Sequence, residues 1–385
     1  HLVRTRRLAS LIDFENRERL FPDVYFRVRF CLLSLASNVE KIRFSCFLTN
    51  PSQIVDPKRT FILSPSDISS INPNSGTAPA FRSEADAALT RQLYSQFPII
   101  VKEAIGVSGN PWGIDYRQGL FNMTSDANFF RTAIDLDAEG YDRVGRNWSK
   151  GSNIFVPLYE AKMFHQYNHR FADFANAAEK EDTDIRELPQ ADESLLSDPS
   201  YEPKPRYWVP EAEVDTRLLA KGWNRGWLVA WRDITNVTNQ RTVIASGVPR
   251  CGIGHNAPLL FLSVDYHRWA AFISIISSLI FDYVARQKVG GTHLTYSYFN
   301  QLPCPSPDAL TTSDLSFIVP RVLELTYTSH SMKPFADDLG YSAYAPFAWN
   351  EDRRALLRAE LDAKIAKLYG LSRDQLRYIL DPAEI

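Results

Sequence analysis

The chain opens with a period-two alternation of apolar and polar residues. In LIDFENRERLF, VYFRVRFCLLSLAS and KIRFSCFLTN, β-branched and aromatic residues alternate with Arg27, Arg29, Lys41 and Arg43. This pattern predicts strands, the second and third joined across a short Ser-Asn turn. The group reads as the closing antiparallel edge of a larger sheet. From Val55 through INPNSGTAPA the chain is rich in Pro, Ser, Asn and Gly and reads as loop. FRSEADAALTRQLYSQFPIIVKEAI then sets apolar residues at helical spacing behind Ser83 and Asp86, the start of a capped helix. From Trp112 the texture changes to short aromatic runs between Gly, Asn and Asp. Beyond an acidic stretch, RYWVP, WNRGWLVAWRDI and RTVIASGVPRCGIGHNAPLLFLSV read as strands and turns. A helix over Trp269 to Arg286 and the loop KVGGTHLTYSYFNQLPCPSP follow, with LTYSYF strand-like. The tail EDRRALLRAELDAKIAKLYGLSRDQLRYIL predicts a helix ended by Gly370 and a second behind it. Strands and turns around one buried helix make the fold class α+β.

Composition narrows the class. The 385 residues predict two or three packed units, at about 150 residues each. Hydrophobic residues at 45%, charged residues at 23% and a mean hydropathy of -0.25 exclude a mainly disordered, collagen-like or coiled-coil chain. The longest apolar run, Trp269 to Phe281, is 13 residues and is broken by Ser274, Ser277 and Ser278. A helix needs about 20 apolar residues to span a bilayer, so no membrane segment is expected. Cys31, Cys46, Cys251 and Cys304 lie far apart without a CxxC pair, which fits a reducing cytoplasm. The opening HLVRTRRLAS lacks both an initiator Met and an apolar run, so it is read as the start of a cut chain and not as a signal peptide.

The net charge of -2 hides a polarised distribution. Residues 179–203 hold nine acidic and two basic side chains, whereas residues 204–293 hold eleven basic and six acidic. An acidic, mobile linker followed by a basic folded unit is therefore expected, and a basic unit is open to nucleic acid.

No complete active site is legible. His165 and His169 are four apart and would share a helix face, but the intervening Gln166, Tyr167 and Asn168 supply no general base and no third ligand is evident. A hydrogen-bonded histidine pair is the plainer reading. Gly252-Ile-Gly254 lacks the third glycine and the helix of a phosphate cradle, which leaves turn glycines. There is no P-loop and no GxSxG. Asp13 and Glu15 share a strand face and read as a solvated pair.

What remains is a recognition surface. Arg206 and Trp208 open it, Arg232, Arg241, Arg250, His255 and Asn256 continue it, and Lys288, Gly290, Gly291, Thr292 and His293 close it. Arg can grip a guanine edge with two hydrogen bonds, Asn does likewise for adenine, and Lys and glycine amides suit phosphate. For the turn Lys288 to His293, a helix C-cap with Lys288 serving the helix dipole is the competing account.

LIDFENRERLFPDVYFRVRFCLLSLA resembles the segment just after the catalytic motif of large adenine-N6 DNA methyltransferases of the type IIG restriction-modification kind, including methylases of related phage-defence systems. PWGIDYRQGLFNMTSDANFFRT, VPLYEAKMFHQYNHRF, PRYWVP, WLVAWRDITNVTNQRTVIASGVPRCGIGHNAPLLF and LRAELDAKIAKLYGL resemble the same family. The most specific block, FDYVARQKVGGTHLTYSYFNQLPCPSP, is also similar to the end of target-recognition domains in type I specificity subunits. Members of the family bind S-adenosylmethionine through a Gly-rich loop and stack a flipped adenine with an Asn-Pro-Pro-Tyr or Phe motif. Neither occurs here: Asn50-Pro51, Asn72-Pro73 and Asn110-Pro111 all lack the second Pro.

The resemblance implies terminal strands of a methyltransferase sheet in residues 1–60, then a helical spacer and the first part of the recognition region in 61–178. It further implies an acidic linker in 179–203, a mixed α/β target-recognition core in 204–310 and a helical segment in 311–385. It implies double-stranded DNA as partner, no catalytic, cofactor or metal residue within this chain, and S-adenosylmethionine bound by an N-terminal methyltransferase portion of the full-length protein. Two rivals stand: a scaffold docking a nuclease or helicase, and a stand-alone hydrolase using His165 and His169.

Overall fold

In the computed structural model, which describes residues 1–175 and 188–381, the alternating N-terminal segments form β1 (Leu8–Glu15), β2 (Arg29–Leu35) and β3 (Ile42–Leu48). The expected β2–β3 hairpin is absent. β1 lies between them, antiparallel to β2 and parallel to β3. The Ser-Asn turn does not reverse directly: Ala36 and Val39 donate their N–H groups to Arg7 and Arg6 carbonyls, wrapping the link around the start of β1. β4 (Thr60–Leu63) completes the order β2-β1-β3-β4.

β4 and α1 (Pro65–Ile71) occupy a stretch expected to be loop. The helix starts at a capping box of Ser64 and Asp67 with Pro65 at its first position, a start signal inside the Pro- and Ser-rich run. α2 (Glu84–Gln96) begins as expected, Ser83 Oγ accepting the Asp86 N–H at 3.0 Å. Phe44 and Phe61 stack at 5.4 Å between β3, β4 and this helical layer.

The middle of the chain builds two further sheets from β5 (Asp115–Arg117), β6 (Asp142–Val144), β7 (Asn147–Lys150), β8 (Asn153–Tyr159), β9 (Trp208–Pro210), β10 (Trp227–Trp231), β11 (Ala245–Pro249), β12 (Gly252–Ile253) and β13 (Leu259–Phe261). One runs β11-β10-β13-β5, and the other β12-β8-β7-β6 with β9 paired to β8. β10, WLVAW, is buried throughout, as a continuous apolar run requires when both sheet faces are covered. β5 pairs with β13 and β8 with β12, so the segments before and after the acidic stretch share both sheets. Short helices α3 (Ala133–Ala138), α4 (Glu193–Ser197) and α5 (Glu211–Leu219) connect them.

The single helix expected over Trp269 to Arg286 is two, α6 (Tyr266–Ile276) and α7 (Leu279–Lys288), bent by 58°. Ser278 breaks the run by capping the second helix, its hydroxyl accepting the Phe281 N–H. Among the described residues no single helix is long and apolar enough to cross a membrane, and this bent pair lies in the core. The strand-like LTYSYF holds α8 (Tyr296–Phe299) instead. Tyr296 and Phe299, three apart on one helical face, both pack on Trp231 of β10, at 5.5 and 5.1 Å. α9 (Thr312–Thr326), α10 (Lys333–Asp338), α11 (Glu351–Leu368) and α12 (Arg373–Leu380) follow, the last two separated at Gly370 with φ +64.

Residues 179–187 of the acidic stretch lie outside the described residues. The rest, 188–203, is anchored: Leu188 and Leu196 are buried. The buried Arg170 guanidinium donates to Leu196, Asp198 and Thr328 carbonyls at 2.7–2.8 Å. An exposed linker was expected because the charge count does not register those two leucines or a cation aimed at main chain.

Candidate nucleic-acid interface

After β10 the chain leaves the second sheet, and three loops meet where it does. Asp233 N–H donates to Asn256 O at 3.0 Å, Leu294 N–H to Asp233 O at 2.8 Å, and Thr235 N–H to Thr292 O at 2.9 Å. The 233–241, 254–256 and 290–294 loops are thus joined main chain to main chain. Asp233, largely buried, also places a carboxylate oxygen 3.0 Å from Nδ1 of the half-exposed His293. That contact orients the imidazole with Nε2 outward.

The outer loop is held from beneath. Arg286 donates to the carbonyls of Val237, Asn239 and Gln240 at 3.0–3.1 Å and to Asp282 Oδ2 at 3.0 Å. The other oxygen of buried Asp282 accepts the Thr242 and Val243 N–H groups, both at 2.7 Å. A side of α7 therefore fixes the back of the loop and its C-terminal foot, and its tip exposes Asn236, Thr238, Asn239 and Gln240.

Of the predicted site residues, the structure gathers Asn256, Gly290, Gly291, Thr292 and His293 along this rim, whereas His255 turns to the 118–123 segment, its Nδ1 accepting the Met123 N–H at 3.3 Å. The larger cations are not there. Arg232 turns inward, its guanidinium donating to Phe164 O, and burial pushes it down to about 10. Arg241 faces the Asp362 carboxylate of α11. Arg250 is taken up by Glu211 and Asp215 of α5. Trp208 is buried, its indole N–H donating to Arg146 O at 3.0 Å, and Arg206 lies over the Tyr207 ring on the third sheet. Lys288 corrects the phosphate-contact expectation most directly. Its ammonium reaches Ile71 O at 2.7 Å and Asn72 Oδ1 at 2.5 Å, lies 4.7 Å from the Tyr94 ring, and is pushed by burial down to about 7.

The same inward logic governs the histidines. His165 and His169 sit on a tight turn, not a helix, with Tyr167 at φ +56 and paired hydrogen bonds between His165 and Asn168. His165 packs at a tilt against Phe171, ring centroids 4.8 Å apart, and burial pushes it down to about 4; His169 Nε2 lies 2.8 Å from Ser329 Oγ. Among the described residues no group of three or more His, Cys, Asp or Glu is placed to hold a metal ion. Gly252 is a strand glycine and not a turn: a Cβ there would meet Val209 at 2.5 Å and Leu158 at 3.1 Å. Asp13 pairs with Arg29 and Glu15 with Arg17, so the carboxylate pair is neutralised on its own strand surroundings.

No family model matches the chain, and no curated protein matches it. Among solved structures it is similar to the type IIG restriction endonuclease BpuSI, at 13% identity and a TM-score of 0.34. The match covers 96% of this chain and 44% of that one, so the chain spans less than half of that enzyme's length.

Sequence reasoning missed Asp233, Asp282 and the amide-rich tip 236–240. The DITNVTNQ run carried a signal, since Asn, Thr and Gln outnumber apolar residues in it and Asn236 Oδ1 accepts the Thr238 N–H as a turn former does. Nothing in the sequence pairs Asp282 with residues forty positions upstream.

Proposed function

We propose that this chain performs sequence-specific DNA target recognition for an adenine-N6 DNA methyltransferase of a restriction-modification or phage-defence system, with S-adenosylmethionine and the methyl transfer supplied by sequence outside these 385 residues. The family resemblance of the sequence blocks suggests the reaction. The observation that carries the reading for this chain is the joined rim, where Asn236, Asn239, Gln240, Asn256 and Thr292 present neutral hydrogen-bonding groups beside the His293 imidazole, from loops tied together through main chain. Amide side chains read adenine through N6 and N7, and a pre-positioned imidazole offers one further donor or acceptor. Gly290 and Gly291, with open space where a Cβ would stand, leave their amides accessible to phosphate oxygens. A neutral rim of this kind supplies discrimination; affinity through counterion release falls to cations elsewhere.

The test is selection from a randomised duplex pool by the 385-residue chain, followed by anisotropy titration of the enriched and scrambled duplexes. Enrichment of one motif is expected, with Asn239→Ala and His293→Ala each lowering discrimination roughly tenfold or more, since a base contact is worth about 1–3 kcal/mol. No enrichment by a well-folded chain would reject the reading in favour of a protein-docking scaffold.

A further inference from the structure

A cavity of about 260 Å³ opens between the 165–171 turn, the 190–196 stretch and the start of α11, and no residue of the rim lines it. Its walls are of two kinds. Phe171, Leu196 and Trp349 supply apolar surface, while Asn168, Arg354 and Arg358 supply hydrogen-bond donors. Glu351, Arg354 and Arg358 are spaced three and four apart, so they stand on one face of α11.

Arg354 is built into the wall. It is 3% exposed, its two Nη atoms donate to Leu325 and Tyr167 carbonyls at 2.8 and 3.2 Å, and its Nε is buried without a partner. Among the described residues its guanidinium makes no ion pair, and burial pushes it down to about 9. Arg232, lying over the ring of Phe171 at 5.5 Å, likewise bonds a main-chain carbonyl and no carboxylate. Asn168 Oδ1 accepts the Arg170 N–H at 2.9 Å, which leaves the amide NH2 for the cavity.

A buried guanidinium without a counter-charge is costly. Two of them bear on this one cavity, and the acid that lines it, exposed Glu351, is already paired with Arg358 at 2.8 Å. The cavity is therefore electropositive. Arg354 Nε, the Asn168 amide and Arg358 are three separate donors, one more than the oxygens of a carboxylate, which suits a phosphate. The apolar wall suits a flat ring attached to it.

We infer that this cavity is a binding site for a small phosphate monoester of the nucleoside monophosphate class, its phosphate on Arg354, Asn168 and Arg358 and its ring along Phe171, Leu196 and Trp349. The inference does not rest on DNA recognition by the rim.

The experiment is calorimetric titration of the 385-residue chain with each of the four common nucleoside 5′-monophosphates, with the matching nucleosides and with inorganic phosphate. At least one monophosphate is expected to bind one to one, with its nucleoside and inorganic phosphate each at least tenfold weaker. Arg354 also ties Leu325 to Tyr167, so the variants spare it. Arg358→Ala, at a half-buried position, should weaken binding roughly tenfold. Ala191→Trp, which fills the cavity, should abolish it, the melting temperature of both variants being kept, and His293→Ala should change nothing. Several results would overturn the inference: no monophosphate bound at millimolar concentration, a nucleoside bound as tightly as its monophosphate, or an affinity indifferent to a well-folded Arg358→Ala. Displacement of the monophosphate by a short duplex of unrelated sequence at equal phosphate concentration would do so too, since it would assign the arginines to DNA backbone.

Discussion

Asp282→Ala tests whether the candidate rim is built as described. The carboxylate is buried at the start of α7 and one of its oxygens takes two N–H groups, of Thr242 and Val243, both residues fully buried. Truncation leaves both donors unpaired. Each buried orphan costs about 1–3 kcal/mol, and loss of the charged acceptor puts the sites toward the upper part of that range. A water admitted to the vacated space would recover some of this. The Arg286 contact adds little, because its guanidinium is more than a third exposed and screened by solvent. The expected loss is therefore about 3–5 kcal/mol in urea unfolding. Asp282→Asn keeps an acceptor for the two amides but turns a donor toward Arg286, for about 1–2 kcal/mol. Hydrogen exchange at Thr242 and Val243 should rise in the Ala variant ahead of the core strands. A change below about 1 kcal/mol, with those amides still protected, would refute the account of what holds the loop.

Lys288→Met carries a pH signature: the unfolded chain keeps that proton to the ordinary 10.5, the folded chain releases it near 7, so the stability of wild type relative to Lys288→Met should rise as pH climbs from 7 to 10 and be lowest, and flat, below 7. Denaturation at pH 6 and 10 decides it, and a constant difference counts against burial of the ammonium. Arg170→Met should cost about 3–5 kcal/mol and raise hydrogen exchange across 193–203, because three segments lose their shared donor; unchanged exchange there would mean the stretch is held by other contacts. Cys31 is exposed while Cys46, Cys251 and Cys304 are buried, with burial pushing the thiols of the first two of these up to about 12, so Ellman's reagent should titrate one thiol quickly and Cys31→Ser should abolish that phase.

Elements whose signals are local were legible. Period two located β1, β2 and β3, a capping pair located α2, and Gly370 located the division between α11 and α12. Neighbour relations were not, since alternation says nothing about which strand lies beside which, and the β1 insertion between β2 and β3 depends on how a short turn wraps Arg6 and Arg7. α8 was misread because four aromatic-rich residues satisfy either period until Trp231 supplies a surface to pack on. For the site, the sequence shows which residues are polar but not which way their side chains turn. Asn256 and 290–293 share the rim, whereas Arg232, Arg241, Arg250 and Lys288 have partners elsewhere in the fold that their own sequence neighbourhoods do not reveal.

That failure has a single physical origin. Arginine carries five donors on a flat fork and is weakly hydrated, which suits it to gather main-chain carbonyls in the interior as well as phosphates outside. This chain uses it for the first purpose repeatedly. Arg170 joins 196–198 to 328, Arg232 ties the end of β10 to Phe164, Arg286 binds 237–240, and Arg354 of α11 donates to Leu325 and Tyr167 carbonyls while lying 3.7 Å from the Trp349 ring. Each guanidinium closes a loop that has too few regular hydrogen bonds of its own. The basic excess of residues 204–293 is therefore partly structural, and a count of charge along the sequence overstates the positive field at the rim.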